Sequence, residues 1–221
     1  MNKNKILIFT DLDGSILDRD TFKFDQIKQY MKKLLNSGVI IIPNSSKTES
    51  EIIEFNQELG ENLAYISENG SVINGLNILN SNFPNKIILS REKEELIEIF
   101  KNKVPENLQS KCKFISNLNK KDQINIFGLD ETKLKYALDR KYTDPFLFEG
   151  SNNEKKDLTK ILKKNSLTIQ EGGRVINLCD NVNKVKSMNR ILKIYKKIES
   201  NIKVIAVGDN YNDLDMLKNS D

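Results

Sequence analysis

The sequence has 221 residues, enough for one large domain or two small ones, and its 38% hydrophobic and 30% charged residues indicate a globular protein. It contains no histidine, which excludes catalytic triads with a histidine base and makes the common zinc sites improbable. The two cysteines, Cys112 and Cys179, lie far apart, so a disulfide framework is not expected. Catalysis in such a chain must depend on carboxylates, lysines, hydroxyls or a hard cation.

Charge and hydropathy predict a protein whose partners are neither nucleic acids nor membranes. The formal net charge is +4, but the basic residues mostly decorate predicted helices and are not interleaved with aromatic residues. The longest apolar runs, ILIF and VIII, fall far short of the roughly 18 residues of a membrane span. The basic start of the chain, MNKNK, precedes an apolar run too short for a signal peptide, so we expect a cytoplasmic protein.

The first 80 residues alternate short apolar strands with amphipathic helices. The predicted elements, in chain order, are a strand over 5–10, a helix over 25–37, a strand over 39–43, a helix after residue 48 and a strand over 64–67. Gly38 suits the position just past the first helix, and Thr48 and Glu51 have the spacing of a capping box for the second. This alternation predicts βαβ units and a parallel sheet.

The segment from about residue 81 to 179 has a different pattern. Its predicted strands lie over 86–90, 123–129, 145–150, 166–171 and 174–179, and its predicted helices over 91–102, 131–141 and 154–164. Hairpin-like and mixed connections between them indicate an α+β insert. A helix over 184–197 and a strand over 203–207 then return to the α/β pattern. We therefore predict an α/β core of residues 1–80 and 180–221, interrupted by an α+β domain of residues 81–179.

Four polar clusters follow apolar strands. They are Asp11 and Asp13 after ILIFT, Ser45, Ser46 and Lys47 after IIIPN, Glu68 and Asn69 after AYIS, and Asp209, Asn212 and Asp213 after VIAVG. In open parallel sheets, ligands bind in the crevice beyond the carboxyl ends of the strands. If these strands are neighbours, three carboxylates face one another, and their repulsion would force protonation of one of them. A hard divalent ion such as Mg²⁺, shared with phosphate oxygens, relieves that repulsion.

The spacing of Asp11 and Asp13 suits phosphoryl chemistry. Side chains alternate along a strand, so both carboxylates project from the same side at its end. Gly14 then allows a sharp turn of the backbone. One carboxylate can attack phosphorus while the other transfers protons. A lone DxD pair is common in turns, but its combination with GDNYND after another strand favours a functional site.

The motifs DLDGS, NSSKT, ISENG, EGGR and VGDNYNDLDML resemble those of the haloacid dehalogenase-like phosphatases, and within them most closely the mannosyl-3-phosphoglycerate phosphatase family. The resemblance spans nearly the whole chain. It implies a Rossmann-like parallel-sheet core with an inserted α+β cap domain that closes over the site. It also implies a Mg²⁺-dependent phosphatase that hydrolyses a small glycosyl-3-phosphoglycerate, carrying mannose or glucose, through an aspartyl-phosphate in compatible-solute synthesis.

The resemblance also implies roles for individual residues. The implied catalytic residues are Asp11 as nucleophile, Asp13 as general acid and base, Ser45 as a hydrogen-bonding partner of the phosphoryl group and Lys184 as the cation that neutralises it. The implied magnesium ligands are Asp11, the backbone carbonyl of Asp13 and Asp209, with Asp213 in or near this group. The implied substrate-binding residues are Ser46, Lys47, Glu68, Asn69, Gly173 and Arg174.

Several alternatives stay open at this stage. Ser45 could cap a helix, Gly173 could simply belong to a hairpin turn, and Lys186 competes with Lys184, because Val185 stands where the family usually has glycine. The chain ends at Asp221, where relatives usually continue with a strand and a helix, so we expect either a truncated product or a fragment of a longer gene. Other possible functions are a sugar-phosphate phosphatase such as sucrose-phosphate phosphatase, or a non-catalytic phosphate-sensing domain, against which the intact Asp11 and Asp13 pair argues.

Overall fold

The computed structural model of the chain describes residues 4–221, so residues 1–3 of the predicted basic start lie outside the described part. The strands, in chain order, are β1 (Lys5–Thr10), β2 (Ile40–Pro43), β3 (Tyr65–Ser67), β4 (Val72–Asn74), β5 (Lys86–Ile88), β6 (Cys112–Phe114), β7 (Thr143–Phe148), β8 (Leu167–Glu171), β9 (Ile176–Asp180) and β10 (Ile202–Val207). The helices are α1 (Asp25–Asn36), α2 (Glu49–Leu59), α3 (Leu76–Leu79), α4 (Lys93–Lys103), α5 (Glu106–Gln109), α6 (Lys120–Phe127), α7 (Glu131–Leu138), α8 (Asn152–Lys164), α9 (Lys184–Tyr195) and α10 (Leu214–Lys218).

The chain forms two compact units. The first contains the described residues up to Lys47 together with Ile52–Leu89 and Asn183–Asp221, and the second contains Thr48–Glu51 and Ser90–Val182. These units are groups of residues in mutual contact. The assignment of residues 81–179 to a cap domain stays a prediction.

The centre of the first unit is a parallel sheet with the strand order β10-β1-β2. Strand β1 buries both faces because its side chains alternate. Leu7 and Phe9 belong to one hydrophobic cluster, which includes residues of α9 and α10, whereas Ile8 packs against a second cluster, which includes residues of α1 and α2. The predicted α/β fold with a parallel-sheet core is confirmed, since helices cover both faces of these adjacent strands.

A second, antiparallel sheet of the first unit continues from the end of β2. A parallel bridge between Asn44 and Ile66 joins the chain after β2 to β3, and β3, β4 and β5 then pair antiparallel. Strand β5, which the sequence pattern placed in the α+β segment, therefore pairs with β4.

The second unit is built on an antiparallel sheet with the order β6-β7-β9-β8. Helices α4 and α8 pack on one of its faces through a cluster that includes Leu96, Phe100, Phe146, Leu158 and Leu178. Helix α8 starts with a complete capping box, in which Ser151 and Glu154 satisfy each other's backbone N–H groups.

The prediction of a strand over residues 123–129 is wrong, because residues 123–127 form the end of helix α6 and Gly128 caps it. The alternating apolar residues of QINIFGL suggested a strand, but stronger helix signals flank them. The Asn119 side chain accepts a hydrogen bond from the Asp122 N–H at the helix start, and Gly128 ends the helix with a φ of 66°. Strand β6 was not predicted, since its sequence, CKF, contains no continuous apolar run.

An ion pair joins the two ends of the segment Ser90–Val182, the longer part of the second unit. The Arg91 guanidinium donates two hydrogen bonds of 2.8 and 2.9 Å to the Asp180 carboxylate, and the Arg91 backbone N–H donates a third. Burial opposes the charge on Asp180, but these bonds and the Asn181 N–H hold its pKa below the usual range. The pair thus fixes the backbone one residue after Ser90 and two residues before Val182, the limits of this segment.

Both cysteines are buried, neither forms a disulfide within the described residues, and they pack as small apolar residues. Burial raises the pKa of the Cys112 thiol to about 12, which keeps it protonated and unreactive. Within residues 4–221, none of the helices has both the length and the apolar character that crossing a membrane requires.

Asp144, on β7, is a carboxylate buried in the second unit, with 4% of its surface exposed. Burial raises its pKa from the ordinary 3.8 to about 6, although the positive charges of Lys93 and Arg140 oppose the rise. Since the folded state favours the protonated acid, this group stabilises the protein below about pH 4, and that contribution is lost as the pH rises through about 6.

We predict that Asp144→Asn stabilises the protein at pH 8, because the amide removes the cost of burying a charge. The gain in the free energy of unfolding should be about 1 to 2 kcal/mol and should vanish at pH 4, where wild-type Asp144 is largely protonated. Urea unfolding at both pH values measures it. Asp157→Asn, on exposed α8 surface, is the control, and an Asp144→Asn variant no more stable than wild type at pH 8 would contradict the prediction.

Candidate functional site

The carboxyl ends of three neighbouring strands bring the predicted site residues together. Asp11 follows the central strand β1, Ser45 lies two residues beyond β2, and Asp209 lies two residues beyond β10. Because the three strands are parallel and adjacent, these ends lie at one edge of the sheet.

Lys184 is the buried cation of this site. It is the first residue of α9, its side chain is fully buried, and its Nζ lies 2.9 Å from Asp11 Oδ1 and 2.6 Å from Asp213 Oδ1. Asn183 caps the helix, and the Asn44 side chain donates a hydrogen bond of 3.0 Å to the Lys184 carbonyl. A buried ammonium between two carboxylates is tolerated because each charge compensates another. Lys186, the alternative considered from the sequence, is exposed.

Asp213 connects this ion pair to the loop after β10. Its Oδ2 accepts hydrogen bonds from the backbone N–H groups of Asp209 and Asn210, at 3.2 and 3.0 Å. Burial raises the pKa of Asp213, the Lys184 ammonium opposes the rise, and the negative charge of Asp11 adds to it. The carboxylate therefore depends on Lys184 for its charge and in turn fixes the backbone that carries Asp209.

Three carboxylates of this site could hold a metal ion. One oxygen each of Asp11, Asp209 and Asp213 lie within 4.8 Å of one another. The donor set consists of carboxylate oxygens, which suits a hard divalent cation. Asp213 is already hydrogen-bonded to Lys184 and the backbone, whereas the Asp209 side chain is 26% exposed. Asp11 and Asp209 are therefore the better placed ligands, and the residues fit such an ion.

Gly14 is required by the close approach of Asp209. Its φ is +78°, and a Cβ at this position would lie 2.3 Å from Asp209 Oδ2. No side chain can occupy that space without moving the carboxylate. The glycine of the DLDG motif thus serves the turn, as predicted, and also makes room for an acid from the other end of the chain.

Asp13 forms an ion pair that the sequence did not predict. Lys47 Nζ lies 3.1 Å from Asp13 Oδ1 and 5.2 Å from the centre of the Phe22 ring. The Lys47 side chain is 11% exposed, while that of Asp13 is 38% exposed. A lysine with its ammonium between a carboxylate and an aromatic face is held in position.

Ser45 lies fully buried between two strands. Its N–H donates to the Ile66 carbonyl, its carbonyl accepts from the Asn69 N–H, and its Oγ accepts from the Lys47 N–H at 3.3 Å. Ser45 does not cap α2, because Thr48 and Glu51 form that capping box. Ser46, the next residue, is half-buried.

The turn after β3 contains Glu68 and Asn69 in left-handed conformations. Their φ values are 47° and 58°, that of Gly70 is 96°, and all three are buried. A Cβ on Gly70 would lie 2.3 Å from the Asn183 carbonyl oxygen, and Ser187 Oγ donates to the Gly70 carbonyl. The turn thus packs against the first turn of α9, which carries Lys184. Strained backbone of this kind is often found at functional sites.

Asn69 also reaches the loop after β10. The Asn212 side chain donates a hydrogen bond of 3.4 Å to Asn69 Oδ1. Asn69 Nδ2 and Asn212 Oδ1 are buried and make no hydrogen bond within the described residues. These two amides therefore retain a donor and an acceptor at the site.

Gly173 and Arg174 lie in the second unit, on the turn between β8 and β9. The Arg174 guanidinium donates a hydrogen bond to the Phe127 carbonyl, close to Gly128. Gly173 is exposed, and apart from its chain neighbours no atom of residues 4–221 lies within 4 Å of the position that a Cβ would take there. Their role in substrate binding stays a prediction.

The sequence analysis missed two residues of the site. Arg19 Nη2 lies 2.9 Å from Asp209 Oδ2, although LDRD resembles an ordinary solvated loop. Asn44 is fully buried and reaches Lys184 across 140 positions of sequence. A polar residue directly after an apolar strand was a usable signal for Asn44, whereas nothing local distinguished Arg19.

Comparisons with known proteins agree with this geometry. A family model described as haloacid dehalogenase-like hydrolase matches residues 8–221. A glucosyl-3-phosphoglycerate/mannosyl-3-phosphoglycerate phosphatase from Methanococcoides burtonii is 29% identical, over 97% of this chain and 82% of the relative. A mannosyl-3-phosphoglycerate phosphatase from Pyrococcus horikoshii is also 29% identical, over 96% of this chain and 86% of the relative.

A solved structure of a haloacid dehalogenase-like hydrolase from Bacteroides thetaiotaomicron has a TM-score of 0.66 at 16% identity, over 98% of this chain and 85% of that chain. At this identity the likeness concerns the fold alone. The family match and the phosphatase names of the relatives support a phosphoric monoester hydrolase. The family model covers nearly the whole chain, and this chain therefore belongs to the haloacid dehalogenase-like hydrolases.

Proposed function

We propose that this chain is a Mg²⁺-dependent phosphatase that hydrolyses a glycosyl-3-phosphoglycerate, with mannose or glucose as the sugar, in compatible-solute synthesis. The observation that carries the proposal is the ion pair between buried Lys184 and Asp11, beside the Asp209 and Asp213 carboxylates. The substrate class is supported by the two relatives named for such phosphatases, which align over nearly the whole chain.

In the first step, a carboxylate oxygen of Asp11 attacks the phosphorus atom. A bond forms between that oxygen and phosphorus, and the bond from phosphorus to the glycerate oxygen breaks, which leaves an aspartyl-phosphate. Lys184, 2.9 Å from Asp11, holds the nucleophile in place and offsets the charge of the incoming phosphate.

Asp13 moves the protons in both steps. In its protonated form it donates a proton to the leaving glycerate oxygen. It then takes a proton from the water that attacks phosphorus, which releases inorganic phosphate and restores the Asp11 carboxylate. The contact with Lys47 at 3.1 Å holds the Asp13 side chain within reach of the leaving group.

Positive charge and hydrogen-bond donors stabilise the phosphoryl group during transfer. The Ser45 hydroxyl donates to one phosphoryl oxygen, and Lys184 neutralises charge on the group. When bound by Asp11, the Asp13 carbonyl and Asp209, Mg²⁺ supplies further positive charge to the phosphoryl oxygens. Asp213 keeps the Asp209 loop in shape through its two backbone hydrogen bonds.

The remaining predicted residues bind the glyceryl and sugar parts of the substrate. We assign Ser46, Lys47, Glu68, Asn69, Gly173 and Arg174 to this role. A guanidinium such as that of Arg174 suits a carboxylate, because its planar N–H groups match the two oxygens. The glycerate carboxylate of the proposed substrate provides such a group.

Phosphate release from a panel of substrates tests this function. The panel contains mannosyl- and glucosyl-3-phosphoglycerate, sucrose-6-phosphate, simple hexose phosphates and 3-phosphoglycerate, each with Mg²⁺ and with EDTA. We expect sustained turnover only with Mg²⁺, with the highest kcat/KM for a glycosyl-3-phosphoglycerate. A preference for sucrose-6-phosphate would reject the proposed substrate class, and binding without turnover on every compound would favour a phosphate sensor.

Asp11→Asn should reduce kcat by at least about 10³-fold, because the amide is not a nucleophile of comparable strength. The side chains have the same shape, so the melting temperature should change little. The control is Asp215→Asn, which alters an exposed acid near the other end of the chain. Phosphate release under saturating substrate measures the effect, and retention of a tenth of the wild-type kcat would reject the nucleophile assignment.

Lys184→Met should abolish activity and also destabilise the protein, because Asp11 and Asp213 lose their shared counter-ion. The loss in the free energy of unfolding should be about 3 to 5 kcal/mol, as for other broken buried ion pairs. Lys186→Met, two residues along the same helix and exposed, is the matched control and should retain both properties. Equal effects of the two substitutions on turnover and urea unfolding would disprove the special role of Lys184.

A further inference from the structure

Arg19 contacts the site, yet the proposed chemistry gives it no role. Its Nη2 lies 2.9 Å from Asp209 Oδ2, its side chain is 65% exposed, and that of Asp209 is 26% exposed. The two residues are 190 positions apart in the sequence. The contact therefore depends on the adjacency of β1 and β10.

The loop that carries Arg19 is an ordered turn. The Asp18 carboxylate accepts hydrogen bonds from the N–H groups of Asp20 and Thr21 and from the Thr21 hydroxyl, at 3.2, 2.8 and 2.8 Å. The Asp18 N–H donates to the Lys23 carbonyl, and the Phe22 N–H donates to the Asp18 carbonyl. These bonds fix the backbone next to Arg19, so the Arg19 side chain extends towards Asp209 from a defined position.

Different cations contact different acids of the site. Lys184 contacts Asp11 and Asp213, whereas Arg19 contacts Asp209. The Asp209 carboxylate lies against the backbone at Gly14, where a Cβ would be 2.3 Å from its Oδ2. The guanidinium and a cation bound at Asp209 would therefore share one carboxylate.

We propose that Arg19 is a displaceable counter-ion of the cation site, which neutralises Asp209 when the site lacks Mg²⁺ and thereby lowers the affinity for Mg²⁺. The inference rests on the proposed function, because it takes Asp209 as a magnesium ligand. An exposed ion pair is weak enough for a divalent cation to displace it. The guanidinium also repels a dication directly, so both effects act in the same direction.

Calorimetric titration of the full chain with MgCl₂ alone, without substrate, tests the inference. We expect Arg19→Gln to bind Mg²⁺ about threefold to fivefold more tightly than wild type, the upper part of the range that loss of an exposed ion pair gives. Lys23→Gln is the matched control, because it removes an exposed positive charge from the same loop outside the Arg19–Asp209 pair. It should stay within about twofold of wild type.

Thermal unfolding gives a second readout that does not require turnover. Without Mg²⁺, Arg19→Gln should melt at a lower temperature than wild type, because Asp209 has lost its counter-ion. Saturating Mg²⁺ should then raise its melting temperature by more than it raises that of wild type.

The outcomes separate this inference from the proposed function. If wild type binds Mg²⁺ and Arg19→Gln binds it equally well or more weakly, the role of Arg19 is rejected while the magnesium site stands. An equal gain in affinity from Lys23→Gln would show a general charge effect and would also reject it. If neither wild type nor Arg19→Gln binds Mg²⁺, both the proposed magnesium site and the inference fail.

Discussion

The site depends on the buried ion pairs that the Lys184 ammonium forms with Asp11 and Asp213. Two carboxylates cannot lie buried side by side in charged form without a cation between them, and Lys184 contacts both Asp11 and Asp213. Each partner comes from a different element: the end of β1, the start of α9 and the loop after β10. The ion pairs therefore join three distant segments, and the Asn44 and Gly70 contacts around α9 serve to hold that ammonium in place.

Side chains of opposite charge lie in contact at several places in the site. Among residues 4–221, Lys184 contacts Asp11 and Asp213, Lys47 contacts Asp13, and Arg19 contacts Asp209. The pairs differ in exposure, from fully buried Lys184 to the Arg19 side chain at 65%. Burial strengthens an ion pair and makes it hard to break, whereas solvent weakens it. The site thus combines a buried ion pair at Asp11 with a more exposed one at Asp209.

Local sequence patterns were sufficient for much of the fold and failed where two local signals conflicted. The strands around β1, β2 and β10 and the cap of α2 were predicted because periodicity and capping act over a few residues. Residues 123–129 alternate like a strand, but residues 123–127 form the end of α6, since the Asn119 cap and Gly128 fix both ends of the helix. Strand β6 exists because it pairs with β7. This pairing with a distant segment leaves no recognisable pattern in the three residues of β6.

The sequence by itself determined which chemical groups stand at the strand ends. The residues after ILIFT, IIIPN, AYIS and VIAVG are fixed by their distance from an apolar run, which is local information. Only the tertiary structure decided which cation forms an ion pair with which acid. Lysine and arginine side chains are long enough to reach several neighbours, and strand order selects among them by placing residue 19 beside residue 209 and residue 184 beside residue 11. That selection depends on contacts between segments far apart in the chain.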